Sequence, residues 1–526
     1  MARRADFDLA AELGKPSFTP GARDAPALVD LIVAGDEPAT PRAAAALAKL
    51  GEPARAAIAA RFAAADDGAR ARLVAALGLL ARAGDAEARQ QLVALDDPAP
   101  RVRKAVAIAL GKLGGDDARA ALIARWDAGD AAPDERRALA EALGKIGGDD
   151  AVARLKALDA GGDAELARRR DRGVLMAERT AGRGVASMII DDVAPPAPLA
   201  VRLGCRPGLG TLLVEELAAL HLAAQPIGDR GAELRLDRPL SALFAARLWA
   251  TLAIPFPLPA GDDLARAITQ TVTSPALLGV LRAWTRGPIR WRLGFAHGHK
   301  RAVVWHVARD VAAAAPALIN DPTATTWDMI VDDGAGTVDV APRRLDDPRF
   351  AYRVADIPAA SHPTVAAALA WLGEARPGDR VWDPFCGSAV ELVERARRGP
   401  LHALLGTDLD PGALDAARAN LTAAGVAAVL AVADARNHAP GPPGSIDLIL
   451  TNPPLGSRVA LDAAALLVAA LPNFARALAP HGRLVWITPS PRKTTAIAEQ
   501  LGLVRTRSHT VDLGGVRGQL ERWDCR

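Results

Sequence analysis

Asp383-Pro384-Phe385-Cys386-Gly387-Ser388 follows directly on the short apolar run Arg380-Val381-Trp382, and three later stretches have the same form. Leu404-Leu405-Gly406 runs into Thr407-Asp408, and Val432-Ala433 runs into Asp434. Ile446-Asp447-Leu448-Ile449-Leu450 runs into Thr451-Asn452-Pro453-Pro454-Leu455-Gly456. Short apolar runs separated by helical spacers predict the buried strands of a parallel βαβ sheet. In such sheets ligands sit outside the carboxyl ends of the strands. Every polar signal between Asp383 and Arg458 falls at such an end.

The residue types suggest the ligand. Gly387 and Ser388 form a turn before a helix expected near Ala389. Glycine lets backbone approach a ligand, and a helix N-terminus offers free N–H groups to a carboxylate. Asp408, 25 residues after Asp383, is placed for two ribose hydroxyls. Asp434 suits an adenine amino group. Together these fit an adenosine-containing cofactor. At the fourth strand end, the Asn452 side-chain oxygen and the Pro453 carbonyl can both accept from one planar amine. Such an amine is a poor nucleophile because its lone pair is delocalised; two acceptors would aim that pair at a methyl donor. Pro453 and Pro454 stiffen the loop. Taken singly, Asp408 could cap a helix at Pro411, and Asn-Pro-Pro could be an ordinary turn.

These motifs, with Thr407-Asp408-Leu409-Asp410 and Thr451 to Arg458, resemble the class I S-adenosylmethionine-dependent RNA methyltransferases that carry a THUMP domain. The nearest group is the tRNA and rRNA guanine-N2 methyltransferases. The resemblance implies a Rossmann-like α/β domain over residues 356–526. It puts Asp383, Phe385, Cys386, Gly387 and Ser388 around the methionine part of S-adenosylmethionine. It gives the ribose to Asp408, packs Leu409 on the adenine and brings Asp434 and Ala435 to its amino end. Asn452, Pro453, Pro454 and Leu455 would hold the target amine and its base, with Asn452 also beside the cofactor. His362-Pro363-Thr364 resembles the segment that closes the cofactor pocket, through Pro363 and Thr364. The chain departs from the family at Ala389 and Val390, where a second glycine and a threonine are usual, and at Leu455, where an aromatic is common. An aromatic would stack on a flipped base; leucine gives apolar contact alone.

A chain of 526 residues is expected to hold about three domains, and its 50% hydrophobic content can fill their cores. Net charge is +3, so RNA binding would need local basic patches. Cys205, Cys386 and Cys525 lie far apart, which fits neither a disulfide framework nor a zinc site, and the expected home is a reducing cytoplasm. Met1 to Asp6 lack the apolar core of a signal peptide. No apolar run reaches membrane-spanning length.

Residues 1–20 read as a loose tail. From 21 to 192 the sequence repeats: Ala109-Leu110-Gly111-Lys112-Leu113-Gly114-Gly115-Asp116-Asp117 returns as Ala142-Leu143-Gly144-Lys145-Ile146-Gly147-Gly148-Asp149-Asp150. Leu47, Leu77, Leu110 and Leu143 are spaced by 30, 33 and 33 residues. That period predicts an all-α solenoid of helix pairs resembling HEAT repeats. The Gly-Gly-Asp-Asp turn is expected to end one helix and cap the next. A protein partner could bind the repeats, or they could simply stiffen the chain. Arg168-Arg169-Arg170 with Arg172 is a solvated face or an RNA contact.

After the proline linker at 194–198, residues 198–355 read as α+β. Strands are expected at Leu199–Leu203, Ala232–Leu236, Ile289–Phe295, Ala302–His306 and Trp327–Val331, with a helix after Gly208. This looks like the family's THUMP region, which implies a grip on the tRNA acceptor end. Arg286, Arg290, Arg292, Lys300 and Arg301 are its candidate phosphate contacts, with Arg458 in the catalytic region. Alternation along a strand would put Arg290 and Arg292 on one face and Trp291 on the other. His297 and His299 lack the neighbours of a metal site, and none is expected.

The expected reaction is methyl transfer from S-adenosylmethionine to the N2 amine of a guanine, in tRNA before rRNA. The alternatives are an N6-adenine or protein-glutamine methyltransferase, because Asn-Pro-Pro loops serve those too, and a catalytically degenerate RNA-binding scaffold.

Overall fold

The computed structural model describes residues 8–15, 19–181, 185–358, 360–454 and 463–526, with the side chains of 178–181 left undescribed. It divides into two compact units. The first comprises residues 1–187, 287–292 and 301–325, and the second 188–286, 293–300 and 326–526.

The first unit is built on paired helices. Asp67–Arg82 is followed by Ala86–Ala94, Pro100–Leu113 by Asp116–Asp127, Pro133–Ile146 by Asp149–Ala157, and Ala164–Ala181 comes last. Their starts are written in the sequence. Asp66, Asp85 and Asp163 accept from amides of the first turn, and Pro100 and Pro133 open helices where proline costs nothing. The repeated Leu-Gly has a packing cause. A Cβ on Gly78 would stand 3.0 Å from Ala109 Cβ, one on Gly111 2.8 Å from Ala142, and one on Gly144 2.3 Å from Gly173 Cα. Glycine is therefore what lets successive helices stack backbone to backbone.

The Gly-Gly-Asp-Asp turn works half as expected. Gly114 and Gly115 have φ of 74° and 93°, and Gly147 and Gly148 of 71° and 97°, a left-handed turn suited to glycine. The aspartates do not cap, however. The next helices begin at Asp116 and Asp149, inside the first turn, where negative charge meets the helix dipole. Asp117 is also bound by Arg89 from the preceding repeat.

The first unit also holds the helix Arg301–Ala314. Ala302–His306, read from sequence as a strand, is its first part. Val303, Val307 and Val311 recur every fourth residue, and the last two are buried, so burial of one helical face overrides the β-propensity of the valines.

The strands, in chain order, are β1 Met188–Ile189, β2 Leu199–Gly204, β3 Ala224–Pro226, β4 Gly231–Leu236, β5 Thr251–Pro257, β6 Thr285–Arg286, β7 Ile289–Phe295, β8 Leu318–Asn320, β9 Trp327–Asp332 and β10 Thr337–Pro342. β7 begins in the first unit, where it pairs in parallel with β8. In the second unit, β3, β4, β2, β5, β10 and β9 lie side by side, all antiparallel.

The rest of the second unit is a second sheet: β11 Arg380–Asp383, β12 Ala403–Asp408, β13 Val429–Val432, β14 Ile446–Thr451, β15 Leu478–Thr488, β16 Leu503–Asp512 and β17 Arg517–Cys525. Its order is β13-β12-β11-β14-β15-β17-β16. β17 pairs antiparallel with β15 and β16, and the remaining pairs are parallel. The sheet thus has seven strands with an antiparallel end, as a Rossmann-like α/β domain of this kind requires. The strand order reverses between β11 and β14, and a crevice at such a switch point is where ligands bind. Trp382, Trp486, Trp523 and Phe474 fill the core.

Within this unit the α+β part is tied to the second sheet by charge, buried at Glu394 and half-exposed at Glu215. Glu394, on the helix Val390–Ala396, takes Arg247 Nε at 2.5 Å, Arg247 Nη2 at 2.8 Å and the Tyr352 hydroxyl at 2.6 Å. Arg507 Nη2 reaches Glu215 at 2.7 Å. No helix among the described residues is long and apolar enough to cross a membrane.

Candidate active site

The carboxyl ends of β11, β12 and β14 converge. After β11, Asp383 is fully buried. Its Oδ1 accepts from Thr451 Oγ1 at 2.6 Å and from the Phe385 amide at 3.1 Å. Gly387 has φ 49°, and its amide donates to Asp408 Oδ2 at 2.9 Å. Asp408 Oδ1 accepts from the Asp410 amide at 3.0 Å. The helix that starts at Pro411 is capped by Asp410, which accepts from Gly412, so Asp408 is left to hold the glycine turn. Gly406 has a steric role here: a Cβ would stand 2.7 Å from Leu430 Cδ2 and 3.0 Å from Cys386 Sγ. Cys386 is buried, and burial pushes its thiol far above the ordinary range, which makes it a packing residue.

Ala389 caps the short helix with φ 62°. That left-handed conformation strains any residue with a Cβ, which accounts for the glycine usual in the resembling family. Leu409 is 62% exposed at the end of β12, an apolar surface open to a ring. Asp434 binds Arg436, with Nη2 to Oδ2 at 2.6 Å, and that hydrogen bond holds its carboxyl below the usual range. Asn473 donates to the carbonyls of Ala435 and His438 at 3.0 and 2.8 Å, and so pins the loop that carries Asp434 and Ala435.

His362 caps the helix that starts at Pro363. Its Nδ1 lies 2.8 Å from Thr364 Oγ1, and Pro363 and Thr364 are buried. Burial, with Arg206, Arg353 and Arg349 nearby, lowers the His362 imidazole to about 4, so it is neutral at pH 7.

At the end of β14, Asn452 Nδ2 donates to Ser361 Oγ at 2.8 Å. Ser361 Oγ in turn donates to Glu391 Oε1. Asn452 Oδ1 is buried and without a partner among the described residues, as are Asp383 Oδ2 and Ser388 Oγ. A buried acceptor left unmade is costly and asks for a ligand group. Leu455 and Arg458 lie outside the described residues.

Sequence reasoning missed Ser361 and Glu391. Glu391 is 4% exposed. Burial above all raises its carboxyl to about 7, with Glu394 adding to the effect. Asp383 is also raised, through burial first and then the neighbouring Glu391. The signal for Glu391 was a charge inside the apolar run Val390-Glu391-Leu392-Val393.

The donor set fits S-adenosylmethionine. Two buried carboxylates at the switch point suit its cationic ammonium and sulfonium, Asp408 has the position for ribose, and Leu409 presents a face for adenine. When bound, that cofactor supplies an electrophilic methyl group.

The family description "RMKL-like, methyltransferase domain" matches residues 351–519. Residues 351–519 are a methyltransferase domain. HEAT repeats match residues 94–170, and S-adenosylmethionine is the cofactor of this class of domain. The chain is 42% identical over 99 residues to a tRNA (guanine(6)-N2)-methyltransferase of Thermus thermophilus, which covers 18% of this chain and 29% of that protein. It is 33% identical over 93 residues to a ribosomal protein L11 methyltransferase of Ralstonia pickettii, again 18% of this chain and 29% of that one. The chain thus matches less than a third of the length of these curated relatives. The crystal structure of TrmN from Thermus thermophilus superposes with a TM-score of 0.51 at 26% identity, over 62% of this chain and all of that one.

Of the candidate RNA contacts, Arg286 and Arg301 are exposed, while Arg292 is half-buried. Lys300 pairs with Asp333 at 2.6 Å. Arg290 is 2% exposed and donates to the Val185 carbonyl at 2.7 Å. It does not share an open face with Arg292, and burial withdraws it from phosphate. In the basic run, Arg168 and Arg169 pair with Glu165, and Arg170 with Asp171. These charges are largely neutralised, the ordinary condition of a solvated helix face. Arg168, Arg169 and Arg172 also line a cavity of about 240 Å³ with Glu141, Glu165 and Trp305.

Proposed function

We propose that the protein transfers a methyl group from S-adenosylmethionine to the exocyclic N2 amine of a guanine in tRNA. The observation that carries this reading is Asn452 Oδ1, a buried acceptor with no partner among the described residues, at the strand end next to Asp383. Asn452 Oδ1 and the Pro453 carbonyl accept the two hydrogens of the amine and turn its lone pair toward the methyl group that S-adenosylmethionine would supply. The nitrogen gives its proton to solvent once it carries the methyl. Asp383, Phe385, Gly387, Ser388, Asp408, Leu409, Asp434 and Ala435 hold the cofactor, with Pro363 and Thr364 bracing the pocket from the preceding helix.

The choice of tRNA is supported by the 42% identity to a tRNA methyltransferase. In this reading residues 198–355 are a THUMP-like RNA-binding region, in which Arg286, Arg292, Lys300 and Arg301 meet phosphates, with Arg458 near the reacting base. The repeat helices that end at Ala181 form the solenoid, open to a protein partner, and residues 356–526 the catalytic domain. Three free cysteines and an RNA substrate fit a cytoplasmic site of action. Protein methylation is the second reading, favoured by the 33% identity to a ribosomal protein methyltransferase.

The test is transfer of labelled methyl into unmodified bulk tRNA, beside rRNA and ribosomal protein. The expected product is N2-methylguanosine in tRNA. Asn452→Ala is expected to lower kcat by roughly 10²–10³, as loss of one preorganised polar contact to developing charge does. Label in protein alone would replace the main reading with the second. No label, and no binding of S-adenosylmethionine, would sink both.

A further inference from the structure

We propose that Glu391 and Ser361 are positioning residues: the ionised Glu391 carboxylate, acting through the Ser361 hydroxyl, fixes which way round the Asn452 amide stands. The proposal deepens the reading above and rests on it for its catalytic consequence.

The three groups are far apart in sequence and meet only in the fold. Ser361 precedes the helix Pro363–Leu372, Glu391 lies on the helix after β11, and Asn452 ends β14. Their hydrogen bonds have a fixed sense. An ionised carboxylate only accepts, so the Ser361 hydrogen must point at Glu391. The Ser361 oxygen then offers Asn452 nothing but lone pairs, and Asn452 answers with Nδ2. Its Oδ1 is left over, buried and without a partner among the described residues. That is the orientation a target amine needs.

Protonation of Glu391 reverses the logic. A neutral carboxyl can donate to Ser361, whose hydrogen then turns to Asn452. The amide is satisfied by presenting Oδ1 to Ser361, and its NH2 group faces the site, where it opposes the amine donor to donor.

The titratable and charged groups around Glu391 come from several elements: Asp383 and Cys386 at and after the end of β11, Glu394 on its own helix, and Tyr352 and Arg353 on the segment before Ser361. Burial and Glu394 favour the neutral form, while Ser361 and Arg353 favour the ionised one. The balance puts the transition at about 7, so both states are within reach at working pH. A cationic cofactor would favour the ionised state and the productive amide.

The test has two readouts. The first is the side-chain amide 15N–1H pair of Asn452 in the cofactor-free, deuterated protein, identified as the pair missing in Asn452→Asp. It is expected to shift with pH around neutrality in the wild type and in Ser361→Thr, and to stay fixed in Glu391→Gln and Ser361→Ala. The second is single-turnover methyl transfer into tRNA at saturating S-adenosylmethionine. Glu391→Gln and Ser361→Ala are expected to slow it about tenfold at saturation, the effect of one hydrogen bond, with Glu391→Gln also weakening cofactor binding. Ser361→Thr is expected to restore it. The relay is overturned if the amide does not titrate in the wild type, or titrates alike in Glu391→Gln. It is equally overturned if the slowed rates follow lost cofactor affinity and recover at saturation. A wild type that titrates as expected but methylates no RNA would remove the proposed function and leave the relay standing.

Discussion

In the helical repeats, arginines reach across the surface from one repeat to an acid on another: Arg61 to Asp30, Arg89 to Asp117 and Arg154 to Asp127. In the methyltransferase domain, a carboxylate and two guanidiniums lie in the interior. Asp379 binds Arg395 Nη2 at 2.8 Å and Arg483 Nη2 at 2.5 Å, with side chains 2%, 0% and 0% exposed. The solenoid is a one-dimensional stack, in which each repeat touches its neighbours and charge fixes register where water screens it. The sheet domain brings residues more than a hundred positions apart into one dry core, where an ion left alone is costly. The same residue types therefore do small work in one region and large work in the other.

Asp379→Asn draws the contrast most strongly, because it keeps the shape and removes the charge shared by two buried guanidiniums. It is expected to cost about 3–5 kcal/mol, read as a lowered denaturant midpoint by tryptophan fluorescence, since Trp382, Trp486 and Trp523 lie in this core. Asp379 precedes β11, at the end of the sheet away from Asp383, so the loss is one of stability. The pH dependence has a definite sign. Burial raises the carboxyl, but the Arg376 amide and the two arginines outweigh it and leave it below the ordinary value. Its contribution is complete above the carboxylate range of the unfolded chain and is lost as pH falls through the folded value. A midpoint unchanged in Asp379→Asn would break the comparison.

The glycine ladder of the solenoid is the next largest effect. Gly144→Ala puts a Cβ 2.3 Å from Gly173 Cα, and the helices must part at a cost of about 1–3 kcal/mol. Gly78→Ala crowds Ala109 Cβ alone, at 3.0 Å, with Ala109 Cα and Leu92 Cδ2 at ordinary contact distance. There the strain is offset by alanine's helix preference, roughly 1 kcal/mol over glycine. Loss of helical circular dichroism is expected at lower denaturant in Gly144→Ala and near the wild-type midpoint in Gly78→Ala. Equal losses would mean that the repeats do not stack through these glycines.

This ladder also marks what the sequence discloses. Ala-Leu-Gly recurs at a period set by packing, so the solenoid was legible, and the strands around Asp383, Asp408 and Asn452 were legible because each apolar run ends in a polar turn. The helix at Arg301 was missed because Ala302-Val303-Val304-Trp305 has strand propensity, while the four-residue spacing of Val303, Val307 and Val311 decides in its favour. Asp117 was expected to cap its helix and instead serves the neighbouring repeat, a contact that needs three dimensions. Ser361 and Glu391 are beyond local reading, because they join Asn452 only through the order of the strands. The burial of Arg290 breaks the alternation expected of its strand, since both Arg290 and Trp291 are enclosed.

The smallest expected effect is at the surface of the repeats. Arg89 binds Asp117 and also donates to the Gly114 carbonyl at 2.7 Å, yet both side chains are partly exposed, at 31% and 47%. Its hydrogen bond brings the Asp117 carboxyl down to about 2, which taken alone would suggest a strong interaction. Water and salt screen such a pair, so Arg89→Ala is expected to cost no more than about 1 kcal/mol. What stability the pair gives is present above the ordinary carboxylate range and lost as pH falls toward 2. It also shrinks with added salt, whereas the penalty of Asp379→Asn persists. A helical unfolding midpoint that drops as far for Arg89→Ala as the fluorescence midpoint does for Asp379→Asn would mean that surface charge carries the repeats, and that burial does not separate the two regions.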